Sequence, residues 1–221
     1  MYLSRLILNP RSRQVRSELA RPYQMHKTIL RAFPETLPTA ERVLFRLEED
    51  PRTGMLMLLV QSQHSPDWGH LLNGKNYLRL VESLPAQIAE NPSTKEVNLQ
   101  LSAGQPLCFR LYANPTKKIK VEGKKNGQRV GIFKEEDQHQ WLARKLEAAG
   151  TSLLRANTSQ SGNIYGQQNK AGQKNKLTML GVRFEGVLQV IDPQALLQAV
   201  NNGIGSGKGM GFGLLSLGPA R

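Results

Sequence analysis

The residues best equipped for chemistry lie close together near the N-terminus. Tyr23 lies three positions before His26 and four before Lys27, and Arg31 follows Lys27 by four, so on a helix they share one face. That face is offset from a core stripe of Met25, Ile29 and Phe33. Histidine moves protons near neutrality because its ordinary pKa is ~6.5. A tyrosine hydroxyl can orient or assist a reacting hydroxyl or a leaving oxygen. Lys27 and Arg31 are candidates for stabilising negative charge as it develops. Such a set suits a substrate that brings its own nucleophile. RNA does so, since a 2′-hydroxyl aligned with the adjacent phosphorus can cut the backbone without a metal. Taken alone, however, the spacing is more plainly read as an ordinary helix surface on which a histidine sits near a tyrosine.

Charge narrows the partner. The 221 residues carry a net +13, and between Arg110 and Lys176 fourteen Lys/Arg face only five Asp/Glu. A one-signed field of this kind concentrates polyanions and speeds their encounter. A charged membrane surface is the other candidate, but no basic amphipathic helix with Trp or Phe on its apolar face is visible. The longest apolar run, Met55 to Val60, is far short of the ~18–20 residues of a membrane span. The N-terminus lacks the marks of a signal peptide. The single cysteine, Cys108, excludes an internal disulfide framework and fits a reducing cytoplasm. These features predict a soluble cytoplasmic protein that binds nucleic acid and no membrane.

Other enzyme classes fit less well. No close His/Cys/Asp cluster has zinc spacing; His64 and His70 flank Pro66, Asp67 and Trp68 in a loop. Glu135, Glu136 and Asp137 read as acids in a helix's first turn rather than as a magnesium site. Cys108 reads as a small hydrophobe in mid-strand. No metal and no cofactor is expected. No helix-turn-helix or zinc motif supports a DNA-binding protein. The 13 aromatic residues are few for a single-strand binder built on stacking.

The elements that must position these residues follow from periodicity and punctuation. Residues 2–8 read as a strand, ended by Asn9-Pro10. Helical spacing runs from Arg13 to Phe33, interrupted at Pro22. Val43–Leu47 and Met55–Gln61 read as strands joined by a turn-rich connection, and a helix is expected around Leu71–Leu84. Residues 85–96 read as a linker. The second half begins with a strand at Leu107–Ala113, then a basic, glycine-punctuated stretch over 117–132. A helix follows over Lys134–Ala149, with acids first, bases last and Gly150 to end it. Leu180 to Val190 alternate as a strand. Asp192-Pro193 opens a helix to about Val200, and Leu214–Leu217 is a last strand. Both halves follow the β-α-β-β-α-β order. This predicts an α+β protein of two ferredoxin-like domains in tandem, residues 1–90 and 97–221.

Between the last helix and strand, residues 203–213 hold glycine at every odd position. The spacing fits neither a Walker A loop nor a Rossmann fingerprint. Alternating glycines leave one side of an extended loop bare, so a phosphodiester backbone could approach Gly205, Gly207 and the Lys208 charge. A tight packing link between helix and strand is the alternative.

The C-terminal sequence GIGSGKGMGFGLLSL resembles the signature of the repeat-associated RNA-binding (RAMP) superfamily, in particular its CasE branch. RPYQMHKTILRAF (residues 21–33) and LCFRLYANPTKK (residues 107–118) are similar to further segments of that family, in the same order along the chain. The resemblance implies a metal-independent endoribonuclease that cuts CRISPR repeat stem-loops in precursor guide RNA. Tyr23 and His26 match the family's catalytic positions; whether His26 acts as base, acid or both stays open. The products would be a 2′,3′-cyclic phosphate and a 5′-hydroxyl. The resemblance further implies product retention within a Cascade complex, alongside its other protein subunits, and the isolated chain is expected to be a monomer. A non-catalytic RNA-binding subunit is the alternative, though it would have no need of both Tyr23 and His26.

RNA would be gripped by shape and charge. The candidate contacts are Lys117, Lys118, Lys120, Lys124, Lys125 and Arg129, then Arg155, then Lys170, Lys174 and Lys176 at a hairpin tip, together with the glycine loop.

Overall fold

The computed structural model describes residues 1–36, 41–73, 76–120, 127–170 and 173–220. The chain forms two units. The first is Met1–Leu99 with Gly166–Asn175 and Gly209–Gly211; the second is Gln100–Tyr165, Lys176–Lys208 and Phe212–Arg221.

The first unit runs β1 (Tyr2–Ile7), α1 (Arg13–Leu19), α2 (Pro22–Leu30), β2 (Leu44–Glu49), β3 (Leu56–Ser62), α3 (Gly69–Leu72), a 3-10 turn (Val81–Ser83) and β4 (Ser93–Glu96). Its strands form one antiparallel sheet in the order β2-β3-β1-β4. Ser12 starts α1 by accepting from the Val15 amide. Pro22 then sits in the first turn of α2, where its missing N–H costs nothing. The apolar stripe of α2 delivers Met25 and Ile29 to a core shared with Leu6, Leu8, Val15, Phe45 and Val60.

Polar ties fix α2 as well. The buried Glu18 carboxylate accepts from Gln14 (2.8 Å), the Thr28 hydroxyl (2.7 Å) and the Tyr77 hydroxyl (2.6 Å). Burial and the adjacent carboxylate push the Tyr77 pKa upward. His70 Nε2 lies 3.1 Å from the Thr28 carbonyl. A carbonyl can only accept, so Nε2 donates and satisfies an orphan acceptor in the last turn of α2.

Two expectations for this unit need correction. Residues 93–96, read as part of a linker, form the edge strand β4, pairing Tyr2↔Glu96 to Arg5↔Ser93. Ser-Thr-Lys-Glu has no apolar alternation, because one backbone partner suffices for an edge. The helix expected over 71–84 reduces to α3 and the 3-10 turn. Asn73-Gly74 interrupts it in sequence, and Asn76 adopts a φ of 46°, which a helix cannot contain.

The second unit runs β5 (Pro106–Ala113), β6 (Thr116–Ile119), β7 (Gln128–Gly131), α4 (Glu135–Glu147), β8 (Thr151–Lys170), β9 (Gln173–Val190), α5 (Pro193–Asn202) and β10 (Leu215–Pro219). The sheet order β10-β5-β9-β8 repeats that of the first unit, strand for strand. The expected pair of ferredoxin-like folds is therefore what the chain forms. β6 and β7 make a separate two-stranded ribbon. Asp192 caps α5 by accepting from Gln194 and Ala195 amides. Cys108 departs from its reading as a small hydrophobe, since it is exposed on β5. Strand alternation turns Leu107, Phe109 and Leu111 inward instead. Among the described residues, no helix is long and apolar enough to cross a membrane.

Candidate active site and nucleic-acid interface

Helix α2 exposes Tyr23 and Lys27, while His26 is only partly exposed and turns toward Phe45. Tyr23 is 43% exposed, its ring 6.2 Å from that of His26. Lys27 Nζ lies 5.3 Å from the Tyr23 ring centroid, a cation–π contact. Arg31, at the C-cap of α2, is exposed.

His26 is half-buried, and the reasons are specific. Its ring stacks on Phe45 of β2, with centroids 5.8 Å apart and planes at 15°. The glycine segment 209–211 closes over both rings. A Cβ at Gly209 would meet His26 Cδ2 at 3.2 Å, and one at Gly211 would meet Phe45 Cε2 at 3.2 Å. Gly211 also has a φ of 88°, whereas at Gly209 it is space rather than backbone conformation that is short, since a side chain there would press on the His26 ring.

Among the described residues, the imidazole Nδ1 has no hydrogen-bond partner to orient it. It is buried, leaving Nε2 as the nitrogen that can meet a substrate. Catalytic histidines are often fixed by a carboxylate or carbonyl on the second nitrogen. Here ring packing does that work instead. Burial lowers the His26 pKa below its ordinary 6.5, because the cation loses hydration with no counter-charge to replace it. Burial thus favours the neutral form of the ring.

In the second unit, Lys117, Lys118, Arg129, Gly205 and Lys208 line one cavity of about 420 Å³. Sequence reasoning missed two of its cations, Arg144 and Lys145, which it assigned to the dipole of α4. Helical spacing was the available signal, since both sit beside buried Trp141 and Leu142. Lys120 and Arg155 are exposed but do not line this cavity. Gly207 packs toward Phe212 and Met179. Lys124 and Lys125 lie outside the described residues, as do the side chains of Lys170, Lys174 and Lys176. No group of three His, Cys, Asp or Glu among the described residues could hold a metal ion.

Comparison with known proteins bears on the whole chain. It is 36% identical to the CRISPR-associated endoribonuclease Cse3 of Thermus thermophilus, covering 99% of this chain and all of that protein. It is 33% identical to the CRISPR system Cascade subunit CasE of Escherichia coli K12, again over 99% of this chain and all of the relative. Its fold is similar to that of CRISPR endoribonuclease Cse3 bound to a 19-nucleotide RNA. That match has a TM-score of 0.82 and 34% identity, and covers 99% of this chain and 100% of the other. The family model described as CRISPR associated protein matches residues 1–219, and the chain belongs to that family.

Proposed function

We propose that this chain is a metal-independent endoribonuclease that cuts CRISPR repeat stem-loops in precursor guide RNA. After cutting, it stays with the product in a Cascade complex in the cytoplasm. The observation that carries the reading is the His26 ring, stacked on Phe45 and covered by Gly209 beside Tyr23, in a full-length relative of a named endoribonuclease.

His26 Nε2 takes the proton from the 2′-hydroxyl as its oxygen attacks the adjacent phosphorus. The phosphorane charge is stabilised by Lys27, with Arg31 at the end of the same helix. Tyr23 orients the reacting hydroxyl or assists the departing 5′-oxygen. The P–O5′ bond breaks as the 5′-oxygen takes up a proton, from the Tyr23 hydroxyl or from protonated His26, leaving a 2′,3′-cyclic phosphate and a 5′-hydroxyl. Phe45 and Gly209 are positioning residues that act through His26. The basic side chains of the second unit hold the RNA through its phosphates.

End-group analysis tests this. Cleaved repeat RNA should resist 3′-end ligation until its cyclic phosphate is opened and removed, and its 5′ end should accept phosphate from a kinase directly. A 3′-hydroxyl and 5′-phosphate would mean water, not the 2′-hydroxyl, is the nucleophile.

A further inference from the structure

The cavity in the second unit is more than part of a basic surface. Its walls bring together cations from three stretches of chain: Lys117, Lys118 and Arg129 from the β6–β7 ribbon, Arg144 and Lys145 from the last turns of α4, and Lys208 from the glycine loop. None of its lining residues is acidic. Among the described residues, Lys117 Nζ lies 3.9 Å from Asp137, and Arg129 donates to the Thr116 hydroxyl at 3.4 Å. Six like charges around about 420 Å³ repel one another, and an anion relieves that repulsion. Ser206, also in the lining, has a buried hydroxyl without a hydrogen-bond partner. An unused donor of this kind is costly unless an acceptor arrives. Among its described lining residues the one aromatic is Trp141, 3% exposed, which offers no open ring face on which a base could stack. Gly205, with a φ of 84°, brings bare backbone against that ring.

We infer that this cavity is a built phosphate-binding site that holds consecutive backbone phosphodiesters of the RNA, with Arg144, Lys145 and Ser206 among its ligands. This rests on the reading of the chain as an RNA-binding enzyme, but not on its cleavage step. The phosphates come from the repeat stem or from its single-stranded flank.

Binding of 2′-deoxy-blocked hairpin RNA to the full chain, followed by anisotropy across a salt series, separates these claims. Arg144→Gln with Lys145→Gln should weaken binding about tenfold near 0.15 M salt and flatten the log–log salt slope by about one to two. Ser206→Ala, which changes no charge, should weaken binding about fivefold. The exchange Arg144→Lys with Lys145→Arg should keep the slope. Removing two exposed cations elsewhere, Arg52→Gln with Lys95→Gln, controls for the general field and should cost less than threefold. Effects seen only with flanked hairpins assign the flank; equal effects on bare hairpins assign the stem. An unchanged affinity and slope in the Arg144/Lys145 variant, or losses matched by the control pair, would overturn the site. Failure of wild type to cut unblocked RNA would instead sink the cleavage reading and leave the binding result standing.

Discussion

His26 illustrates how packing substitutes for hydrogen bonding. With Nδ1 buried and unpartnered, the ring's aim depends on Phe45 and on the absence of a side chain at 209. Gly209→Ala should therefore lower the single-turnover cleavage rate at least tenfold while leaving RNA affinity and thermal stability near wild type. Gly162→Ala, where nothing lies within 4 Å, is the matched control. Phe45→Leu costs about 1–2 kcal/mol of packing, and it should also move the inflection of the pH–rate profile, which a purely structural loss would not do. The wild-type profile has a definite sign. A base whose pKa is lowered by burial is active above that pKa, so the rate should rise with pH through an inflection below 6.5 and then level off. A rate that falls with pH over this range would make His26 the acid. The sequence carried Tyr23, His26 and Lys27 through helical spacing, but nothing local marks Phe45, which reaches the site from another element.

At the scale of elements, α2 is the part that must not move. Its apolar stripe was legible from Met25 and Ile29, with Phe33 buried just beyond its end, and Pro22 announced where it begins. The Glu18 network was not legible, because Tyr77 and Thr28 meet it only after folding. Glu18→Ala would leave those two hydroxyls without their acceptor inside the core, at a cost of about 3 kcal/mol. Urea unfolding should report that loss, and cleavage should fall with it as α2 loosens. β4 and the long polar strand β8 escaped the sequence for one reason. Ser-, Thr-, Asn- and Gln-rich segments lack the two-residue alternation that betrays a half-buried strand, and their partners supply what their own residues do not.

The chain, of net charge +13, carries the proposed acid–base helix in one ferredoxin-like unit and a cationic cavity in the other. Charge on that scale predicts slow product release, so with RNA in excess product should plateau near one equivalent per enzyme and turn over faster as salt rises. Composition alone pointed to a polyanion. What it could not supply was the gathering of Arg144 and Lys145 with the glycine loop, which depends on contacts distant in sequence. The central claim is that the RNA's own 2′-hydroxyl is activated at His26. Its most direct test is cleavage of a repeat stem-loop in excess EDTA by wild type and His26→Ala, beside a substrate with a single 2′-deoxy substitution at the cut. Wild type should cut the all-ribose RNA, while the variant and the deoxy substrate still bind and remain whole. Loss of wild-type cleavage in EDTA, or normal cutting of the deoxy RNA, would contradict it.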